Sequence, residues 1–381
     1  MIQRSVINNT IAVVVVVLLL SACSGGGKTS FYAQGGDTVR FRYLENLTLV
    51  DYEDYMTAEI RNPWDTSKVL HKYVLIEKDD TVSQEIPNAT VVRIPLSKTI
   101  VYTSVHCALI DDLGALEQIA GVCDVKYIMR PCILEQCAGG RIADVGDAMT
   151  PDVERIIQLT PDAILLSPFE NSGGYGRFEK YGIPIVECAD YMETSALARA
   201  EWMRFYGLLY GKGKEADSLF SSIERRYNEM KALVAEKKNG PQLLCDLKGG
   251  AAWYVPGGKS YLGQLYNDAG GNYSFDYLDD SGSVPLSFEV VYDKAVNADV
   301  WLIKYNAEKD KTYSGLLDEY SPYSAFKAFR ERNIYGCNTG EKPFYEEVPF
   351  HPDRLLEEFI KIFHPGVLED DSLRYFRKLA E

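Results

Sequence analysis

The sequence predicts an α/β chain: two lobes with parallel-type sheets joined by one long linker helix, plus a small N-terminal β extension. Three observations carry this reading. From Thr99 onward, short apolar runs alternate with helical patterns; from Glu215 to about Lys237 the chain lacks proline and glycine; and after the Asn239-Gly240-Pro241 stop the strand–helix rhythm restarts. With 381 residues, 46% of them hydrophobic and 12% aromatic, there is enough apolar material for two ordinary cores.

Taken in order, residues 1–22 read as a leader. Arg4 precedes the apolar run Ile11 to Leu20, which is too short to span a membrane and suits a signal-peptide core. Leu20-Ser21-Ala22-Cys23 resembles the lipobox of bacterial lipoproteins, which makes Cys23 the expected lipidated residue. Residues 23–38 then form a tether, because Ser24-Gly25-Gly26-Gly27-Lys28 has no packing capacity. Losing Arg4 with the leader takes the formal net charge from −15 to −16. Such an acidic chain excludes nucleic acid as a partner and disfavours anionic lipid, so lipid on Cys23 is the expected membrane attachment.

Residues 39–97 alternate apolar and polar positions, as in Val39-Arg40-Phe41-Arg42-Tyr43, and read as a small antiparallel β extension. The first lobe, 98–212, is predicted to hold strands at Thr99 to Tyr102, Asp124 to Ile128, Ala163 to Leu166 and Ile183 to Glu187, with a helix from His106 to Leu116. Within it, Thr150 is suited to capping a helix and Pro151 to its first turn. Val153, Ile156 and Ile157 make the apolar stripe and leave Glu154 on the wet flank. The linker, 213–240, carries Ala216, Leu219, Phe220, Ile223, Tyr227, Met230 and Val234 at helical spacing and would span about 35 Å. The second lobe, 241–381, is predicted to hold strands at Leu243 to Leu247, Val300 to Lys304 and Ile334 to Tyr335. The lobes also match in one detail: Glu289, behind the predicted cap Ser287, and Glu154 each sit at the start of a helix that leads into a core strand.

Several function classes are set aside by what the motifs lack. Seven cysteines follow Cys23; Cys123, Cys132 and Cys137 are close enough in sequence for one pair, but no C-x-x-C spacing supports zinc, so structural or free thiols are expected. Four histidines without an H-E-x-x-H pattern do not support a metalloprotease. No nucleophile elbow, P-loop or dinucleotide fingerprint occurs, so an enzyme is not expected, and no catalytic residue, resident metal or cofactor is assigned.

From about Thr99 to Leu368 the sequence resembles the ABC-transporter substrate-binding proteins for iron–siderophores, haem and vitamin B12. The resemblance rests on the glycine, helix-start Glu and PDAILL of residues 141–167, on Ser222 to Tyr227 within the linker, on Asp268-Ala269-Gly270-Gly271, on Leu286-Ser287-Phe288-Glu289 and on the closing HPDRLLEEFIKIFHP. The extension and the phrase ADYMETSALARAEW resemble a branch common among Bacteroidetes lipoproteins. The resemblance implies a monomer in the periplasm, anchored through Cys23, that holds a ferric siderophore, haem or cobalamin between its lobes. It would dock on an ABC permease dimer with its ATPase through Glu154 and Glu289. A permease-independent scavenger or sensor of the same ligands is the alternative.

Because open parallel sheets bind at the carboxyl ends of their strands, the ligand residues expected are Tyr102 to His106, Phe169 with Glu170, and Asp190 with Tyr191 in the first lobe. In the second lobe they are Lys248, Trp253 and Tyr254, then Lys304 with Tyr305. The aromatics suit stacking on a flat ligand and the lysines suit pairing with its anionic groups. Two of these residues have competing roles: His106 can ligate haem iron or, the favoured reading, cap its helix, and Trp253 can stack on ligand or pack in the core.

Overall fold

The computed structural model describes residues 35–80, 88–170, 176–237 and 240–381. Cys23 and the tether up to residue 34 lie outside the described residues, and Asp37–Glu381 form one contact unit. No described helix is long and apolar enough to cross a membrane.

Among the described residues the extension is a five-stranded sheet ordered β1 (Asp37–Val39), β2 (Leu47–Asp51), β3 (Met56–Arg61), β4 (Val69–Glu77) and β5 (Thr90–Ile94). Period-two alternation turns Leu47, Leu49, Ala58, Ile60, Tyr73 and Leu75 inward to the first lobe's core. The sheet is mixed rather than antiparallel, because β5 returns to the start of β4 and pairs in parallel, Thr90 against Tyr73 and Ile94 against Glu77. Two buried carboxylates fasten it. Glu201 accepts the backbone N–H groups of Arg42, Tyr43 and Leu44, and Glu193 accepts those of Glu45 and Asn46 together with the Trp202 indole N–H. Each carboxylate thereby satisfies backbone donors that no strand pairs, at sites where an unpaired group is costly.

The first lobe is built on the parallel sheet β12–β11–β6–β7–β8, from β6 (Thr99–Val101), β7 (Ile119–Val122), β8 (Ala143–Asp144), β11 (Ala163–Leu166) and β12 (Ile185–Glu187). The wholly apolar β11 is buried on both faces, with Ala163 and Leu165 in one cluster and Ile164 and Leu166 in the other. The strand expected at Asp124 to Ile128 is instead β7, with Asp124 in the left-handed region and a 3₁₀ turn over Val125–Tyr127. The sheet needs Gly121 at that place, since a Cβ there would stand 2.9 Å from Ile100 Cδ1, and the Asp124 to Ile128 alternation lies on the turn. A second correction concerns the helix cap. Thr150 and Pro151 form β10, which pairs with β9 (Gly146–Asp147), so Asp152 caps the helix Val153–Leu159 by accepting the Arg155 N–H at 3.0 Å.

The linker helix runs Gly213–Val234. Its first half buries Ala216, Phe220 and Ile223 in the first lobe's core, and its second half buries Tyr227 and Val234 in that of the second lobe. The second lobe carries the sheet β16–β13–β18–β19–β20, from β13 (Gln242–Cys245), β16 (Asn272–Tyr273), β18 (Val300–Tyr305), β19 (Ile334–Asn338) and the antiparallel edge β20 (Arg377–Lys378). Beside it lies a three-stranded sheet of β14 (Lys248–Gly249), β15 (Ala252–Pro256) and β17 (Ser283–Leu286). The seven described cysteines are all free, and Cys107, Cys123, Cys188, Cys245 and Cys337 are buried.

Candidate functional site

The lobes meet where the helix Ser104–Asp112, which follows β6, packs on the short helix Phe344–Glu347, which follows β19. Polar ties cross this junction. Glu346 accepts the Met129 N–H at 2.7 Å, and His351 Nε2 stands 2.9 Å from Asp112 Oδ2, while Arg130 lies 2.8 Å from the other oxygen of that carboxylate. Burial pushes the Asp112 carboxyl up, but His351 and Arg130 outweigh it and hold it below its ordinary value. Phe350 adds an apolar tie by entering the first lobe's core against Tyr206.

Beside this junction opens a cavity of 540 Å³ whose walls come from both lobes. Ser104, Lys126, Tyr127 and Met129 line it from the first lobe; Asn306, Lys342, Tyr345 and Glu346 are among its lining from the second. These residues follow the carboxyl ends of β6, β7, β18 and β19, the edge where parallel sheets bind ligands. Tyr127 and Tyr345 are both more than half exposed, so their rings are available for stacking.

A second tie between the lobes starts from His106. Its Nε2 stands 2.8 Å from Asp190 Oδ1, and the other Asp190 oxygen receives Arg199 Nε at 3.2 Å. The Arg199 guanidinium then lies over the ring of Tyr261 from the second lobe. Burial pushes the Asp190 carboxyl up, yet the His106 and Arg199 contacts prevail and hold it below its usual value. A folded-state pKa below the unfolded one means that stability is present above about pH 4 and is lost as pH falls through the folded pKa. Asp190→Asn is therefore expected to cost about 1–3 kcal/mol at neutral pH, and to give a shallower loss of stability in acid than the parent. Denaturant unfolding at several pH values checks this, and parallel acid profiles would assign the effect elsewhere.

The expected ligand residues are dispersed. His106 is wholly buried and bound to Asp190 and does not cap its helix; the cap is Thr103, whose hydroxyl accepts the His106 backbone N–H. Tyr102 is buried in the outer cluster of the first lobe. Tyr191 donates to Pro168 O at 2.6 Å, which sets it beside exposed Phe169 and Glu170. Lys304 is mostly buried against Asp246 at 2.6 Å, and burial, which lowers an ammonium pKa, is outweighed there by that carboxylate. Tyr305 is buried with its hydroxyl on Asp310. Trp253 is wholly buried and offers a ligand no surface: its indole N–H donates to Cys245 O at 3.0 Å, and Trp301, Tyr323 and Phe326 surround it. Lys248 lies over the Tyr320 ring and acts on the Glu289 carboxylate, and exposed Tyr254 pairs with Pro285 on the strand leading to Glu289. Of the expected stretches, Tyr102 to His106 reaches the cavity between the lobes through Ser104, while the other residues named here do not line it.

Lys126 and Tyr127 are not among the expected ligand residues because the expected strand, Asp124 to Ile128, covers them; Met129 follows that strand and is not among the expected residues either. With β7 at Ile119–Val122, the same strand-end rule points to them. Tyr345 and Glu346 follow β19, which runs to Asn338 rather than ending at Tyr335.

The two matching glutamates are placed alike. Glu154 and Glu289 are exposed second residues of their helices, behind the caps Asp152 and Ser287, and Ser287 accepts the Val290 N–H at 3.4 Å. The Glu289 backbone N–H and the Ser287 hydroxyl hold the Glu289 carboxyl below its ordinary value.

Comparison with known proteins gives a consistent result. The sequence pattern of a periplasmic binding protein family matches residues 100–339. An uncharacterised lipoprotein of Methanocaldococcus jannaschii is 25% identical over 362 residues, 88% of this chain and 84% of the relative. The petrobactin-binding protein of Bacillus subtilis is 29% identical over 164 residues, 42% of this chain and 49% of its own. Among solved structures, Staphylococcus aureus IsdE complexed with haem superposes with a TM-score of 0.56 at 18% identity, covering 70% of this chain and 98% of that one.

Proposed function

Because the chain belongs to the periplasmic binding protein family, a family that binds solutes rather than transforming them, we propose that it captures an iron chelate, a ferric siderophore or haem, and delivers it to an ABC permease. The observation that carries this reading is the cavity between the lobes, walled by residues that follow strand ends of both sheets. A ligand seated there touches both lobes at once, so its presence is felt at both. The petrobactin-binding relative and the haem-bound fold neighbour support iron chelates as the ligand class. The lipobox-like Leu20 to Cys23 and the lipoprotein relative support a lipid anchor on Cys23.

Titrating the purified protein with ferric petrobactin, haemin and cyanocobalamin, followed by tryptophan fluorescence, tests the proposal. Saturable one-to-one binding of ferric petrobactin or haemin is expected. Binding of neither would overturn the iron-chelate assignment, and binding of cyanocobalamin alone would move the chain to a different ligand.

A further inference from the structure

At the strand ends around the cavity the carboxylates are already engaged. Asp246, after β13, pairs with Lys304 at 2.6 Å, and Glu341, after β19, pairs with Arg377 at 3.1 Å. Asp147 and Asp124 hold the Lys126 ammonium at 3.3 and 3.5 Å. Glu346 lines the cavity but is only 3% exposed and accepts the Met129 N–H, so it presents a ligand with little surface. The donors of the wall are in the opposite state. Among the described residues the Lys342 ammonium has no carboxylate or hydrogen-bond partner, and the Ser104 hydroxyl, the Asn306 carboxamide and the hydroxyls of Tyr127 and Tyr345 are also without one. These five groups stand on the loops and helices that follow β6, β7, β18 and β19, so they come from both lobes.

Asn338, wholly buried at the end of β19, fixes how the second lobe presents its share. Its Oδ1 accepts the Ala307 and Gly340 N–H groups at 3.3 and 3.2 Å, its Nδ2 donates to Ala307 O at 2.9 Å, and its backbone carbonyl accepts the Lys342 N–H at 2.9 Å. The loops after β18 and β19 are thereby stapled into one surface. Gly340 keeps that surface closed under Asn306, since a Cβ there would stand 2.7 Å from Asn306 Oδ1. An uncommitted ammonium on a preformed wall, among neutral donors and engaged acids, is complementary to anionic oxygen. In a chain of net charge −15 it also marks a place where an anion is attracted rather than repelled. We propose that the cleft selects iron chelates that carry net negative charge and an aromatic face, with Lys342 setting the charge selection and Tyr127 and Tyr345 holding the ring from opposite lobes. The inference rests on the cavity being the ligand cleft. It narrows the ligand class by disfavouring neutral ferric trihydroxamates, whose three anionic oxygens are balanced by the iron and gain nothing from an ammonium.

The test titrates the full-length protein with ferric petrobactin and haemin, both anionic, and with ferrichrome, a neutral ferric trihydroxamate, by isothermal calorimetry. The parent is expected to bind one of the anionic probes at least about 10-fold more tightly than ferrichrome. Lys342→Met should weaken that anionic probe about 10- to 100-fold and leave ferrichrome binding unchanged. Raising the salt from about 0.05 to 0.5 M should weaken the parent's anionic binding and barely affect that of Lys342→Met. Because the Lys342 ammonium holds nothing in the fold, the thermal unfolding of this variant should match the parent's. Ferrichrome bound as tightly as the anionic probes, or a Lys342→Met variant that binds every probe like the parent, would overturn the selection and leave the cleft assignment standing. Tyr127→Ala combined with Tyr345→Ala should weaken the anionic probe; if this double variant binds it like the parent, the cavity is not the ligand cleft and the inference falls with it. Failure of the parent to bind either anionic probe would overturn both the iron-chelate reading and this inference.

Discussion

Trp253→Ala lowers the free energy of unfolding by about 3–5 kcal/mol and leaves the ligand affinity of the folded protein unaltered. The indole is buried on β15 and fills the centre of an aromatic cluster, with ring centroids 5.7 Å from each of Trp301, Tyr323 and Phe326. Truncation leaves a cavity that these large rings cannot collapse into, and it strips Cys245 O of the indole N–H it accepts. The cluster also holds the three-stranded sheet against β18, so the damage is to the second lobe's core, and none of its rings lines the cavity. Denaturant unfolding and fluorescence titration of the same variant give both quantities. Weakened binding with unchanged stability would put the indole in the ligand site after all.

The second large effect is expected in cells. Glu154→Lys combined with Glu289→Lys abolishes ligand uptake while the purified protein binds ligand as before. Each glutamate projects from the first turn of a capped helix, exposed, one per lobe, and the caps Asp152 and Ser287 remain in the variant. Both substitutions fall on exposed positions behind intact caps, so the fold is expected to survive them. If the two carboxylates dock on permease cations, reversing both puts like charges in contact twice, at several kcal/mol. Undiminished uptake by the double variant would remove the docking role and favour a scavenger that works without a permease.

Much of the architecture was legible because it is written in local patterns. The Ala163-Ile164-Leu165-Leu166 run has no polar face and so became a strand buried on both sides. The proline- and glycine-free stretch with apolar residues at helical spacing became the linker helix, and Ser287 caps where expected. What escaped was decided by tertiary contacts. Thr150 and Pro151 read as a helix start until β9 claims them, and β7 is hidden because its glycine answers to Ile100 on a neighbouring strand. Glycines flank Trp253 in the sequence and suggest room for a ligand. Those at 249 and 250 serve the β14–β15 turn, however, and strand alternation then sends the indole inward and Tyr254 outward. Glu346 carried no sequence signal at all: a glutamate after a helix-start proline normally faces water, and only the apposed lobe makes it buried.

The linker helix has a consequence for how the molecule loses its structure. Phe220 and Ile223 belong to one core, Tyr227 and Val234 to the other, within a single uninterrupted rod. Neither lobe can melt without unravelling a segment on which its neighbour depends, and Phe350 repeats the entanglement from the opposite direction. The two lobes are thus expected to unfold as one cooperative unit, so that the stability lost at a core site such as Trp253 is lost by both lobes, while the folded cleft is unchanged.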